Sequence, residues 1–187
     1  MMIKNLVEKY GSDKNSSGYS VIYDELFLEY KNKEIDVLEI GIGTLEGNKS
    51  NMVRWKEKRT DYTPGASLKV WEEYFQEANI YGIDIIEDCM INEGRIKTFL
   101  CDSTVKESVE NSVGEKKFDI IIDDGLHTFE AQNETFLNFY PKLKDGGIYF
   151  IEDIRFMDRF LTDESILVKM GLEFKFNEKR NLLWVRK

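Results

Sequence analysis

KKFDIIIDDGLHTFE, residues 116–130, decides the fold. Phe118, Ile120, Ile121 and Ile122 make a short apolar run with no polar face, the pattern of a strand buried on both sides in a parallel sheet. The run stops at two carboxylates, Asp123 and Asp124, followed by a glycine and then by His127, the only histidine in the chain. A second run, GGIYFIED (146–153), stops in the same way at Glu152 and Asp153. Acids that end buried parallel strands lie at the carboxyl edge of the sheet, where open α/β folds bind their ligands.

Working outward, EIDVLEIGIGT (34–44) is another central strand, through Ile35, Val37, Leu38 and Ile40, and it turns into Gly41-Ile-Gly43. NIYGIDII (79–86) ends a strand at Asp84, and RIKTFLCDS (95–103) ends one at Asp102. Helical spacing appears at Ile3, Leu6, Val7 and Tyr10, and again over 20–30 at Val21, Ile22, Leu26, Phe27 and Tyr30. Ser67 is expected to cap a helix with Leu68, Trp71, Tyr74 and Phe75 inward, and Thr104 and Glu107 have capping-box spacing. Further helices are expected through Phe136, Leu137 and Tyr140 and around 163–170. LEFKFNEKRNLLWVRK at the C-terminus reads as an antiparallel hairpin.

This alternation predicts an α/β fold, a doubly wound, mostly parallel seven-stranded sheet with a C-terminal antiparallel hairpin. A single domain over 1–187 is expected, with an N-terminal helical cap over 1–33. The charged, weakly periodic stretch 45–66 is expected to be an insertion loop with a short helical turn, of the length that lids and binding loops have. Its Arg54, Lys56, Lys58 and Arg59 would suit an acidic acceptor or equally a solvated face.

A formal net charge of −9 argues against a nucleic-acid partner, whose affinity comes from clustered Lys and Arg. A hydrophobic fraction of 42% is enough for a packed core. The two cysteines, Cys89 and Cys101, have no metal-ligand spacing and fit reduced thiols in a cytoplasm. No run is long enough for a membrane span, and the N-terminus lacks a signal peptide's apolar core.

Glu39, Gly41 and Gly43 form a turn that lets a ligand approach the backbone. The spacing, GxGxxxG through Gly47, misses the dinucleotide GxGxxG, and the acid before it favours a cationic ligand part. Asp84 can take ribose hydroxyls, and Asp102 with Ser103 can reach an adenine amine. Taken singly, each is equally an ordinary turn with a solvated acid. Asp124, Glu152 and Asp153 are hard oxygen ligands suited to Mg²⁺ or another oxygen-preferring divalent cation, whereas one histidine and two scattered cysteines cannot build the usual zinc sites. His127 titrates near neutrality and suits a general base. Strand alternation turns Asp123 opposite to Asp124, toward the cofactor.

In this order VLEIGIG, PGASLKVW, IYGIDI, CDS, FDIIIDDGLH and GGIYFIED resemble the class I S-adenosylmethionine-dependent methyltransferases. GSDK (11–14) with DDGLH and IED is similar to the metal-dependent sugar O-methyltransferases of the mycinamicin and macrocin type, a pattern that the cephalosporin hydroxylase-like group shares. The resemblance spans roughly residues 10–155. It implies S-adenosylmethionine as cofactor, with Glu39, Gly41 and Gly43 along its methionine part and Ser67 near its carboxylate. It implies Asp84 on the ribose, Asp102 and Ser103 at the adenine, and Lys14 and Tyr23 closing the site from the N-terminal side. It also implies His127 as the base. The stretch 45–66 and the missing large N-terminal domain depart from the macrolide enzymes.

The expected function is Mg-assisted O-methyl transfer to a hydroxyl of a small molecule, a sugar or glycosylated metabolite, with a homo-oligomer among the expected assemblies. A nicotinamide-dependent oxidoreductase on the same sheet and an inactive cofactor-binding partner protein are the alternatives.

Overall fold

The computed structural model describes residues 1–15, 17–46 and 52–187. Gly47, the third glycine of the GxGxxxG spacing, lies outside the described residues. The apolar runs become the strands β1 (Asp36–Ile40), β2 (Asn79–Asp84), β3 (Ile96–Leu100), β4 (Phe118–Asp123) and β5 (Leu143–Ile151), followed by β6 (Phe174–Phe176) and β7 (Leu183–Arg186). They form one seven-stranded sheet in the order β3-β2-β1-β4-β5-β7-β6. The first five are parallel, and β7 pairs antiparallel with both β5 and β6. The chain winds outward in both directions from β1 and β4. Their carboxyl ends therefore flank the switch point at which doubly wound sheets open a crevice.

The helices are α1 (Ile3–Tyr10), α2 (Tyr19–Leu26), α3 (Met52–Lys58), α4 (Ala66–Tyr74), α5 (Lys106–Val113), α6 (Phe129–Phe139) and the short α7 (Met157–Phe160) and α8 (Ile166–Lys169). Residues of α1, α2 and α4 pack with Val37, Ile80, Ile120, Ile122, Ile148 and Phe150 on one face of the sheet. Residues of α5 and α6 pack with Leu38, Ile121, Tyr149 and Ile151 on the other. On the first face Tyr23 and Phe27 stack on each other and each meets Trp71 and Phe150 edge to face, with the Tyr23 centroid 5.5 Å from Trp71 and 5.0 Å from Phe150. This aromatic group fastens the N-terminal helices to the strand that carries Glu152.

Two of the expected helix caps do not form. Ser67 caps nothing: α4 begins at Ala66 behind Gly65, whose φ of 72° makes the turn without a side-chain cap. Thr104 does not box with Glu107, since α5 has Val105 at its N-cap position. Thr104 instead donates both its amide (3.0 Å) and its hydroxyl (2.6 Å) to Asp102 Oδ1, an Asx turn that outcompetes the cap. Thr128 caps α6, accepting from the Ala131 amide at 3.2 Å. In α2 the inward places go to Tyr19, Ser20 and Tyr23, which leaves Val21 68% exposed. Among the described residues of the stretch 45–66 are those of α3, and Trp55 Nε1 donates to the Gly11 carbonyl at 2.8 Å.

Candidate active site

The carboxyl ends of β1, β4 and β5 each deliver an acid to the same face of the sheet, because side chains alternate along a strand. Glu39, Asp124 and Glu152 converge there on one ammonium. Lys14 arrives from the turn between α1 and α2, and its Nζ lies 2.9 Å from Glu39 Oε1, 3.1 Å from Asp124 Oδ2 and 3.0 Å from Glu152 Oε1. Lys14, Glu39 and Glu152 are all buried. Trp71 Nε1 donates to Glu39 Oε2 at 2.9 Å, the Tyr23 hydroxyl donates to Glu152 Oε1, and Gln132 Nε2 donates to the Glu152 carbonyl at 2.9 Å.

Three acids around one lysine leave an excess of negative charge. Burial alone would lower the Lys14 pKa, but the facing carboxylates of Asp124, Glu152 and Glu39 raise it well above the ordinary value. Burial lifts the Glu152 carboxyl to about 7 despite the lysine. Burial also raises Asp124 well above the ordinary value, with Lys14 opposing and Glu152 adding to the rise. Such a cluster holds protons or accepts a further cation.

A second group forms on the outer side of Asp124. His127 Nε2 lies 3.8 Å from Asp124 Oδ1 and 3.7 Å from Asp153 Oδ2. One ligand atom from each of Asp124, His127 and Asp153 lies within 4.8 Å of the others. Asp153 takes a left-handed φ of 49°, rare for a residue with a side chain. The Tyr19 hydroxyl holds that turn, donating to Asp153 Oδ1 at 2.7 Å and accepting from the Asp153 amide at 3.1 Å. Burial lowers the His127 pKa below its usual value, against the pull of Asp153, so the imidazole is neutral and able to accept a proton at neutral pH. Two half-exposed carboxylates beside an over-acidic cluster fit a hard divalent cation. Of the acids expected to hold a metal ion, Asp124 and Asp153 stand together beside His127, whereas Glu152 turns inward to Lys14 and Tyr23. The cause is the buried ammonium, a partner that strand spacing does not reveal.

A cleft of about 810 Å³ runs from this group across the switch point. Lys14, Gly41, Gly43, Ser67, Asp84, Asp102, Ser103, Asp124, His127 and Asp153 line it, so the structure brings most of the expected site residues together. Gly41 has a φ of 81°, and a β-carbon there would overlap the Asp124 carbonyl. Its glycine therefore answers to the close approach of β1 and β4 as much as to any ligand. Asp84 is partly engaged: Oδ2 accepts from the Ile42 amide at 3.0 Å and Oδ1 from the Ile86 amide at 3.1 Å. That fixes the glycine turn and leaves each oxygen a second lone pair. Ser103 Oγ shares a hydrogen bond of 2.9 Å with Thr135 Oγ1.

Three expected cofactor residues are not at the cleft surface. Asp123 points into the opposite core beside Tyr149, with its Oδ1 accepting from the Gly125 amide at 3.2 Å, and burial raises its carboxyl to about 7. The expectation that it faces a cofactor is corrected: alternation does turn it away from Asp124, but that side of the sheet is packed by α5 and α6. Glu39 and Tyr23 are buried beneath the cleft, Glu39 against Lys14 and Tyr23 against Glu152. Lys56 and Arg59, expected to be open to an acidic acceptor, are spent on neighbouring groups, Arg59 donating also to the Glu8 carbonyl of α1 at 2.8 Å. Lys56 donates to the carbonyls of Thr60 (2.7 Å) and Tyr62 (2.6 Å), and Arg59 pairs with Asp61 at 2.8 Å. Tyr19 and Trp71 hold site residues although no sequence motif assigns them that role. A tyrosine and a tryptophan on apolar helix faces carry a weak signal of their own, since their polar atoms need buried partners.

No family model matches the chain. The demethylmacrocin O-methyltransferase of Streptomyces fradiae is 36% identical over 133 residues, 71% of this chain and 30% of that protein. The mycinamicin VI 2''-O-methyltransferase of Micromonospora griseorubida is 33% identical over 133 residues, with the same shares of 71% and 30%. A tetracenomycin rhamnosyl 2'-O-methyltransferase of Streptomyces olivaceus is 28% identical over 157 residues, 82% of this chain and 38% of that protein. Thus the chain spans about a third of the length of these relatives. Among solved structures, the MycE methyltransferase of the mycinamycin pathway, in complex with Mg, SAH and mycinamycin VI, superposes with a TM-score of 0.80. It is 24% identical and covers 100% of this chain and 54% of its own.

Proposed function

The chain belongs to the mycinamicin and macrocin type of the class I methyltransferase fold family, and from that premise we propose that it transfers the methyl group of S-adenosylmethionine to a hydroxyl of a sugar or glycosylated metabolite. One observation carries the proposal. A neutral His127 and two carboxylates, Asp124 and Asp153, stand in the same cleft as the Gly41–Gly43 turn, Asp84 and Asp102.

In this proposal the methionine part of the cofactor lies along Gly41 and Gly43 near Ser67, its ribose at Asp84 and its adenine at Asp102 and Ser103. Asp124 and Asp153 would hold Mg²⁺ or a similar cation, with Glu152 joining only if its carboxylate leaves Lys14. The ion would lower the pKa of an acceptor hydroxyl bound to it. His127 Nε2 takes the hydroxyl proton. The oxygen lone pair forms the new O–CH₃ bond as the S–CH₃ bond breaks, so that S-adenosylhomocysteine leaves. Most of the rate would come from holding oxygen, methyl and sulfur in line. Lys14 keeps Asp124 aimed, Trp71 and Tyr23 keep the carboxylates beneath it in place, and Tyr19 holds the Asp153 turn.

The described residues act as one catalytic unit in this proposal, and no helix among them is long and apolar enough to cross a membrane. The test is a thermal-shift titration with S-adenosylhomocysteine and with NAD, followed by methyl transfer from S-adenosylmethionine to a panel of sugar hydroxyls with and without Mg²⁺. Stabilisation by S-adenosylhomocysteine and chelator-sensitive transfer are expected. Stabilisation by NAD alone would restore the oxidoreductase alternative, and cofactor binding without transfer to any acceptor would restore the inactive partner.

A further inference from the structure

Two cavities meet at Arg155. It lines the cleft that holds Asp124, His127 and Asp153, and it also lines a second cavity of about 400 Å³ formed by residues 154–159 with Lys179 and Arg180. In a chain of net charge −9, this second wall carries Arg155, Arg159, Lys179 and Arg180 against the single acid Asp158.

The cations differ in what they are doing. Arg159 pairs with Glu130 and with Glu164, each at 2.9 Å, and stacks on Phe129. Arg180 pairs with Asp158 at 3.0 Å and faces the Phe176 ring. Lys179 reaches the Ser17 carbonyl at 3.5 Å. Arg155 is exposed and makes no ion pair or hydrogen bond among the described residues. Beside it Phe156 is 50% exposed, an apolar surface of the kind on which a sugar ring packs.

Resting on the methyl-transfer reading above, we propose that Arg155 receives an anionic oxygen group, a carboxylate or a phosphate, carried by the acceptor sugar. The geometry supplies the reason. A planar guanidinium offers paired donors that match both groups, and while Arg159 and Arg180 are tied to neighbouring acids, Arg155 is not. Arg155 stands in the wall shared by the two cavities. An acceptor with its reactive hydroxyl at His127 would place an anionic substituent there, with Phe156 under the ring and the second cavity open to whatever the anion is attached to. The acceptor class is then an acidic sugar, a uronate or a sugar phosphate.

The test uses the full chain saturated with S-adenosylhomocysteine and titrated by calorimetry with three probes: methyl glucoside, methyl glucuronoside and glucose 6-phosphate. The expected result is that at least one charged probe binds about tenfold or more tightly than the neutral one, and that Arg155→Gln removes that preference while Arg155→Lys keeps part of it. A preference for the uronate alone assigns a carboxylate, for the phosphate alone a phosphate, and for both a general anion site. Equal binding of all three probes, binding of none, or the same preference in Arg155→Gln would overturn the proposal. Stabilisation by S-adenosylhomocysteine, read on both proteins, reports separately on the methyltransferase reading: its absence in the wild type would overturn that reading, while the probe preference is still read without it.

Discussion

A lysine stands between carboxylates at each end of the sheet. At the amino end, Lys144 Nζ lies 2.9 Å from Asp36 Oδ2 and 2.8 Å from Asp119 Oδ2, with 37% of its side chain exposed. At the carboxyl end, Lys14 Nζ lies at similar distances from Glu39, Asp124 and Glu152, with 2% exposed. The chemistry and spacing match; the solvation does not. Water screens the first group and can replace any lost partner, so it is a surface ornament of the strand starts. The second is sealed under the N-terminal helices, and each of its charges depends on the others. The sheet thus keeps one end relaxed and holds the other as an over-acidic cluster beside a neutral base, which is what a cation-assisted active site requires.

The largest expected effect separates the two ends by function. Replacing His127 by alanine should lower methyl transfer by about 10²–10⁴-fold, the usual contribution of a general base, with binding of S-adenosylhomocysteine unchanged. Near-wild-type turnover in that variant would remove the base from the mechanism. Lys14→Met comes next. It leaves the buried Glu39 and Glu152 and the half-buried Asp124 without their cation and should destabilise by about 3–5 kcal/mol, a fall in melting temperature on the order of 10 °C. The loss should shrink as the pH is lowered and the acids are protonated; a loss that is independent of pH would mean that packing, and not charge, is responsible.

Asp123 offers a finer test, since its carboxyl is raised from 3.8 to about 7 by burial. Its folded pKa exceeds its unfolded one, so the folded state holds the extra proton. The associated stability is complete below about pH 4 and is lost as the pH rises through about 7. Asp123→Asn, which mimics the neutral acid, should remove a slope of up to about 1.4 kcal/mol per pH unit in that window, as read by denaturant titration at several pH values. An unchanged slope would show that Asp123 is ionised in the native protein. The smallest effect is expected at the other lysine. Lys144→Met should cost about 1 kcal/mol or less and fade with added salt. A cost equal to that of Lys14→Met would break the comparison, because burial would then not be what distinguishes the two ends.

Much of the site was legible in the chain because strand ends announce themselves. The apolar runs stop at Asp84, Asp102, Asp124 and Asp153, and all four line the cleft. Less legible was which way an acid turns. Glu152 and Asp153 are neighbours, yet one faces a buried ammonium and the other the open cleft beside His127. The partner that separates them, Lys14, is 138 residues away from Glu152. Caps failed for a related reason. Thr104 had a local alternative in Asp102, and the choice between a cap and an Asx turn depends on how the preceding strand delivers that acid.

By itself, then, the sequence determined the alternation of elements, the buried strands, the carboxyl edge as the place for chemistry, and a base and acids of the right kind. These depend on composition and on the periods of helix and strand, which are local properties. Tertiary structure alone decided which acids face Lys14, which line the cleft beside His127, that Asp123 belongs to the core, and that Arg155, unpaired among the described residues, stands between two cavities. Those outcomes depend on burial and on contacts between residues far apart in the chain, and the energy of a charge depends on its surroundings more than on its identity.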